Sequence, residues 1–389
     1  MIRKSKIIIN LLFFGLIFSA LIAFAEDSVN LKKALPPQSS KLAKYQSATM
    51  VILYTGQSHD EAEEYENLQD VAQFAVEQFE EENNVKSGIK FVTVDDKDNP
   101  QHAQATLSKV ISSDKPVAIV GPLYSNVAMG LKELVNKSEI PMISIFATHN
   151  DLTKNSRFIF RICASNRRLV KSMAEFLIPE AQKHSLNITS FKDLSDDYSI
   201  DLADTFRINV TGVKLNYNEV LFRGLHGIER LKDLNSQVWN PTKKDILFVP
   251  TRDLIAGRIL AAMEGEPYMV AAIDTVNFLH LMRKIKPEKT HIRLVTTSQW
   301  IPQKSAFSKK MEVTFQKKFK RNMTITSALT FDAAYSAAAA YQRSQDKKIS
   351  LADALRDSTK VTGVTGLILI GSDGERVFSD QFLKEEVIE

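Results

Sequence analysis

Short, almost wholly apolar runs recur along the chain, separated by longer stretches in which apolar residues return every three or four positions. Residues 50–54 (MVILY), 89–94 (IKFVTV), 117–120 (VAIV) and 141–146 (PMISIF) are of the first kind. Runs of that length bounded by turn residues predict buried strands. Leu68, Val71, Ala72, Ala75 and Phe79 are of the second kind, with acidic side chains on the opposite face, and predict an amphipathic helix. Further helices are predicted over 103–111 and 127–135. Strands without in-and-out alternation are covered on both faces, so this βαβαβ series predicts a parallel sheet in an α/β domain.

A second series of the same kind follows residues 158–162 (FIFRI). Helices are predicted over 169–177, 203–208, 254–263 and 278–285, and extended segments over 186–191, 213–222, 245–249, 268–273 and 292–297. The fold class is therefore α/β, with two doubly wound parallel-sheet lobes. The length agrees, because 389 residues are too many for one core at roughly 100–200 residues per domain.

Residues 7–25 (IIINLLFFGLIFSALIAFA) break the pattern. The run follows Arg3, Lys4 and Lys6 and ends in Ala23-Phe24-Ala25, the arrangement of a cleavable signal peptide over residues 1–25. An uncleaved anchor is the alternative, since the run is nearly long enough to span a bilayer. Export to the periplasm is expected. Residues 26–46, with Pro36-Pro37 and Ser39-Ser40 and no sustained period, read as a linker.

The net charge of +4 falls to about +1 once the three N-terminal positives are set aside. A near-neutral body offers no basic surface to phosphates, so no nucleic acid is expected as a partner. The single cysteine, Cys163, excludes an internal disulfide framework and reads as a small buried residue beside Ile162. The seven histidines are scattered and form no His-x-x-x-His pair, so a metal is not expected. No Gly-x-Ser-x-Gly, phosphate loop or dinucleotide fingerprint occurs, which leaves both a cofactor and catalysis without positive support.

Gly121-Pro122-Leu123-Tyr124-Ser125 after a buried strand, then 140–144 (IPMIS), 147–153 (ATHNDLT) and Phe160-Arg161, resemble the type I periplasmic binding proteins. Within these the order is most similar to the leucine/isoleucine/valine-binding branch. Val94-Asp95-Asp96, Asn99-Pro100 and Ala103 upstream, with 331–335 (FDAAY), Gly363-Val364-Thr365-Gly366 and Ser372-Asp373-Gly374 downstream, extend the resemblance over nearly all of residues 48–389. It implies two lobes joined by three crossover strands, near 161–164, 297–302 and 376–378, with a ligand enclosed between them. Lobe one would comprise 48–161 and 303–375, and lobe two 162–302 and 376–389. Independently, ligands of open α/β sheets bind beyond the carboxyl ends of the strands. The candidate site residues all fall at or near such ends.

Tyr124-Ser125 opens a helix after a strand, where backbone N–H groups and the Ser125 hydroxyl can meet a carboxylate; Ser125 as a simple helix cap is the alternative. Phe146, Ala147 and Thr148 end the next strand, and the Phe146 carbonyl and Thr148 hydroxyl match the family's ligand segment, against ordinary turn chemistry for a lone Thr. Asp196-Asp197-Tyr198 aligns with a family loop whose tyrosine covers the ligand, the role implied for Tyr198, although Ser199 stands where the family usually has Gly. Asp274 ends the strand 268–273, where the family places an acidic residue facing a ligand ammonium; a helix N-cap is its other reading. Arg252, at another strand end, can reach a second anionic group or lie solvated on the surface.

The expected function is that of a periplasmic solute-binding protein. It would capture a small amphiphilic molecule, an amino acid or similar, between the lobes and deliver it to an ABC permease in the inner membrane. A ligand-sensing or regulatory module of the same fold, acting on a membrane or cell-wall partner, is the alternative; an enzyme is not expected.

Overall fold

The computed structural model describes residues 43–56, 68–234, 240–273, 292–357, 360–378 and 383–388. The predicted signal peptide, most of the linker, the predicted helix at 278–285 and Asp274 lie outside the described residues.

The first sheet contains β1 (Ala48–Tyr54), β2 (Ile89–Asp95), β3 (Ala118–Val120), β4 (Met142–Ser144) and β5 (Ile159–Arg161). They pair in the order β2-β1-β3-β4-β5, all parallel. Val51 of β1 sits opposite Val92 on one side and Ile119 on the other. Met50 and Ile52 belong to one hydrophobic cluster, Val51 and Leu53 to a second. Successive side chains of a strand point to opposite faces, so the unbroken apolar run feeds two cores at once. Helices α1 (Leu68–Asn83) and α2 (Pro100–Asp114) occupy the first two crossovers.

The helix predicted over 127–135 is two helices, α3 (Ser125–Gly130) and α4 (Lys132–Ser138), divided at Leu131. Gly130 lies against Pro100, where a Cβ would come within 2.5 Å of the proline Cβ. The division coincides with this close approach of Gly130 to the start of α2.

After β5 the chain enters the second sheet through α5 (Asn166–His184). That sheet is built from β6 (Asn187–Asp193), β7 (Asn216–Phe222), β8 (Asp245–Phe248), β9 (Met269–Ala272) and β10 (Ile292–Thr297), with α6 (Asp197–Val210), α7 (Gly224–Leu234) and α8 (Asp253–Ala262) between strands. Here too Ile246 and Phe248 pack on one face, Leu247 and Val249 on the other. The chain then returns to the first lobe as α9 (Ala306–Phe319), α10 (Ile325–Lys347), α11 (Leu351–Arg356) and the hairpin β11 (Val361–Gly363) and β12 (Gly366–Ile368). Finally β13 (Leu383–Ile388) joins the second sheet antiparallel to β10, giving the order β13-β10-β9-β8-β6-β7.

The crossovers are cross-linked. Arg161 is fully buried, pairs with Glu375, and donates from its backbone N–H to the Gly374 carbonyl at 3.0 Å. Gln299 accepts from the Ala164 N–H, joining the first crossover to the second. Two of the motifs quoted above explain themselves in the return segment. Asp332 is buried on α10 and accepts from the Val364 and Thr365 N–H groups at 2.6 and 2.9 Å, and a Cβ on Gly363 would clash with its carboxylate.

Candidate functional site

Each sheet places its third strand beside its first and its second on the other edge, so the crossovers diverge beside the first strand. In such sheets the crevice opens at the carboxyl ends of the first and third strands. For lobe one these ends are Thr55 and the 121–125 turn; for lobe two they are Asp193–Tyr198 and Val249–Asp253. The turn at Gly121 requires glycine, because its φ is +120° and a Cβ would lie 2.2 Å from the Leu53 carbonyl oxygen.

Tyr124 precedes α3 in extended conformation, and its ring receives the Arg252 guanidinium at 4.5 Å. Ser125 is buried, and its hydroxyl accepts from the His149 N–H at 3.3 Å, tying the loop after β3 to the loop after β4. Phe146 is half-buried against the first core. The Ala147 carbonyl accepts from Cys163 Sγ and Arg161 Nη1, both at 3.4 Å. The Thr148 carbonyl accepts from the Asn166 N–H at 2.7 Å, while its Oγ1 is buried and has no partner among the described residues.

In lobe two, the segment read as a loop at 196–198 is the start of α6. Asp196 is its N-cap, accepting from the Tyr198 N–H at 3.3 Å. Ser199 is fully buried and accepts from the Asp193 N–H at 3.0 Å, closing the turn in which glycine was expected. The Tyr198 hydroxyl donates to the Ile273 carbonyl at 2.9 Å, directly before position 274.

Arg252 connects the two halves. Its Nη1 lies 2.8 Å from Asp98 Oδ2 and its Nη2 3.4 Å from Asn126 Oδ1, both in lobe one; its Nε lies 3.2 Å from Asp196 Oδ2 in its own lobe. Burial would discharge the guanidinium, but the Asp196 and Asp98 carboxylates outweigh it and hold the group firmly charged. A second bridge runs from Asn150, which donates to Asp201 through its backbone N–H and its side chain, each at 3.0 Å, and to Thr205 at 2.8 Å.

Sequence reasoning did not reach Asp98, Asn126, Asn166, Asp201 or Thr251, and Asn150 entered it only within the motif 147–153. Apart from Asp201, which lies inside α6, only their position after a strand or at a helix start signalled them. Asp96, quoted for its motif alone, is fully buried after β2. It accepts from Thr55 Oγ1 at 2.6 Å and the Asp98 N–H at 2.9 Å, and burial pushes its carboxyl up to about 6. Its Oδ2, Thr148 Oγ1, Asn166 Oδ1 and Thr251 Oγ1 are buried atoms without a hydrogen-bond partner among the described residues. No group of three or more His, Cys, Asp or Glu side chains among the described residues could hold a metal ion.

This architecture, two doubly wound lobes with paired strand ends facing across three crossovers, is that of the type I periplasmic binding proteins. The chain belongs to the receptor family ligand binding region, whose profile matches residues 67–380. Among solved structures it is similar to the leucine binding protein LivK of Thermotoga maritima, with a TM-score of 0.68 and 17% identity over 88% of this chain and 98% of that one. The branched-chain amino acid substrate binding protein LivJ of Streptococcus pneumoniae, in complex with isoleucine, gives a TM-score of 0.68 at 18% identity over 88% and 99% of the two chains. A solute binding protein of R. palustris in complex with benzoate gives 0.67 at 16% identity over 88% and 94%. An amino acid binding protein of Pseudomonas aeruginosa is 27% identical over 151 residues, 39% of this chain and 38% of that protein. The match thus spans well under half of that relative. Among the described residues no helix is long and apolar enough to cross a membrane.

Proposed function

We propose that the chain is an exported, non-catalytic solute-binding protein that closes on a small amphiphilic carboxylate, an amino acid in the first instance, and presents it to an ABC permease. The observation that carries this reading is the set of buried polar atoms without partners at the strand ends of both lobes, Thr148 Oγ1, Asn166 Oδ1 and Thr251 Oγ1. Buried polar groups are nearly always hydrogen-bonded, and leaving one unmade costs about 1–3 kcal/mol. A ligand with several donors and acceptors would recover that cost. Lobe one would seat the carboxylate at Tyr124-Ser125 and Phe146–Thr148, Tyr198 would cover the ligand, and Asp274 would face an ammonium. The neighbours complexed with isoleucine and with benzoate support a carboxylate ligand and leave its body to be tested. The receptor-type family favours a second reading, a sensor module; a permease and ATPase recovered with the protein would support import, and a kinase or chemoreceptor would support sensing.

A thermal-shift screen of amino acids and benzoates tests the proposal. A ligand at ~100 times its dissociation constant adds about 2.7 kcal/mol of stability. Thr148→Val should leave the free protein at least as stable, because it removes an unpaired hydroxyl, and should weaken the ligand found by about tenfold or more. Asp274→Asn should weaken an amino acid and spare a benzoate. No stabilising compound, or full affinity in Thr148→Val, would overturn the site.

A further inference from the structure

A second concavity, of about 640 Å³, lies between α1, α9, α10 and β11. In a βαβ unit the helix runs back against the strands, so the last turn of α1 lies at the amino ends of the sheet, opposite the ligand crevice. Its floor is aromatic: Phe79 and Phe307 stand edge-on to Tyr335, at ring-centroid distances of 5.3 and 5.7 Å. One turn along α10 the small side chain of Ala339 leaves the space open.

The charges on the rim are unequally matched. Glu82 is engaged by Lys310, Asp346 accepts from the Tyr45 hydroxyl at 3.0 Å, and Lys347 pairs with Asp357. Two cations remain. Arg343 is half-buried, and its one hydrogen bond among the described residues goes to the Ala354 carbonyl at 2.5 Å. Burial lowers its proton affinity, with only a more distant Asp357 acting against it. Lys360 is exposed and makes no ion pair among the described residues. A half-buried guanidinium with no carboxylate in hydrogen-bond reach is costly to keep, and a planar anion is the partner its fork fits best. The volume falls within the ~300–1,000 Å³ of small-molecule sites, and polar and charged side chains rim the aromatic floor.

We propose that this groove is a second ligand site, for a small organic carboxylate whose aromatic or branched body lies over Tyr335 and Ala339 and whose head group meets Arg343 and Lys360. It does not depend on what the crevice binds. Calorimetric titration with 3-phenylpropanoate, and with the neutral 3-phenylpropan-1-ol, tests it. The carboxylate should bind at least tenfold more tightly than the alcohol. Lys360→Gln, an exposed change that leaves folding intact, should weaken it severalfold, and Ala339→Phe, which fills the groove, should abolish it. Thr148→Val should not alter it. Absence of binding to the parent, equal affinity for the alcohol, or unchanged affinity in Lys360→Gln and Ala339→Phe would overturn the proposal. So would loss of binding in Thr148→Val, which would place the probe in the crevice.

Discussion

Replacing Arg252 by Gln should open the molecule. The substitution keeps most of the stem and one amide but removes the charge that joins the lobes. Only contacts that cross the crevice bias closure, so the Asp196 pair, within lobe two, does not count. The Asp98 contact does, with the arginine side chain 31% and the aspartate 34% exposed. That exposure places the pair near the upper end of the surface range, about 1 kcal/mol, and well below the 3–5 kcal/mol of a fully buried pair. Stacking on Tyr124 adds ~0.5–2 kcal/mol. Together they favour closure by roughly 1.5–3 kcal/mol, a ten- to hundredfold change in the closed-to-open ratio at ~1.4 kcal/mol per tenfold. Small-angle scattering of the ligand-free protein should show a larger radius of gyration for Arg252→Gln than for the parent. The affinity of any ligand that binds the closed state should fall by up to the same factor. Arg252→Lys should lie between the two, because it keeps the charge and loses the planar fork. Identical radii and affinities in parent and Arg252→Gln would refute the latch.

Asp96 should make stability depend on pH. Its folded value of about 6 lies above the unfolded one, so the fold favours the protonated form; the contribution is complete below about pH 4 and is lost as pH rises through 6, roughly 3 kcal/mol in all. Urea melts of Asp96→Asn should gain on the parent across that window and run parallel above pH 7; parallel curves throughout would refute it. Gly121→Ala should cost more than ~1 kcal/mol, because it adds the clash with Leu53 to an unfavourable φ. Gly212→Ala, at φ +80° with nothing within 4 Å of its Cβ, should cost less in the same measurement.

The strands were legible because both their faces are buried. Every residue from Met50 to Leu53 is fully enclosed, and no polar side chain could interrupt such a run without a penalty. Helix α10 was passed over for the same reason turned round. From Ile325 to Tyr341 its residues are apolar or small on nearly all sides, and that stretch carries no polar face to reveal a period of 3.6. At 196–198 the signal was present and under-read, since an Asp two residues before Tyr198 is a common N-cap and sets the start of α6 at Asp197.

The site divides along a similar line. Strand-end positions follow from topology, which is why Arg252 could be named from element order, whereas Tyr124, Ser125 and Thr148 also needed the family resemblance. The partners they take do not follow, because Asp98 and Arg252 are 154 positions apart and nothing local to either residue encodes the other. Asp98 itself sits at a positive φ of 50°, in a turn held by its N–H to Asp96. The buried carboxyl at 96 thus orients the next acid along the chain toward the arginine of the opposite lobe. The cost of burying Asp96 and the closure bias of Arg252 are then one coupled quantity. A double-mutant cycle on Asp96→Asn and Arg252→Gln should then be non-additive in radius and affinity.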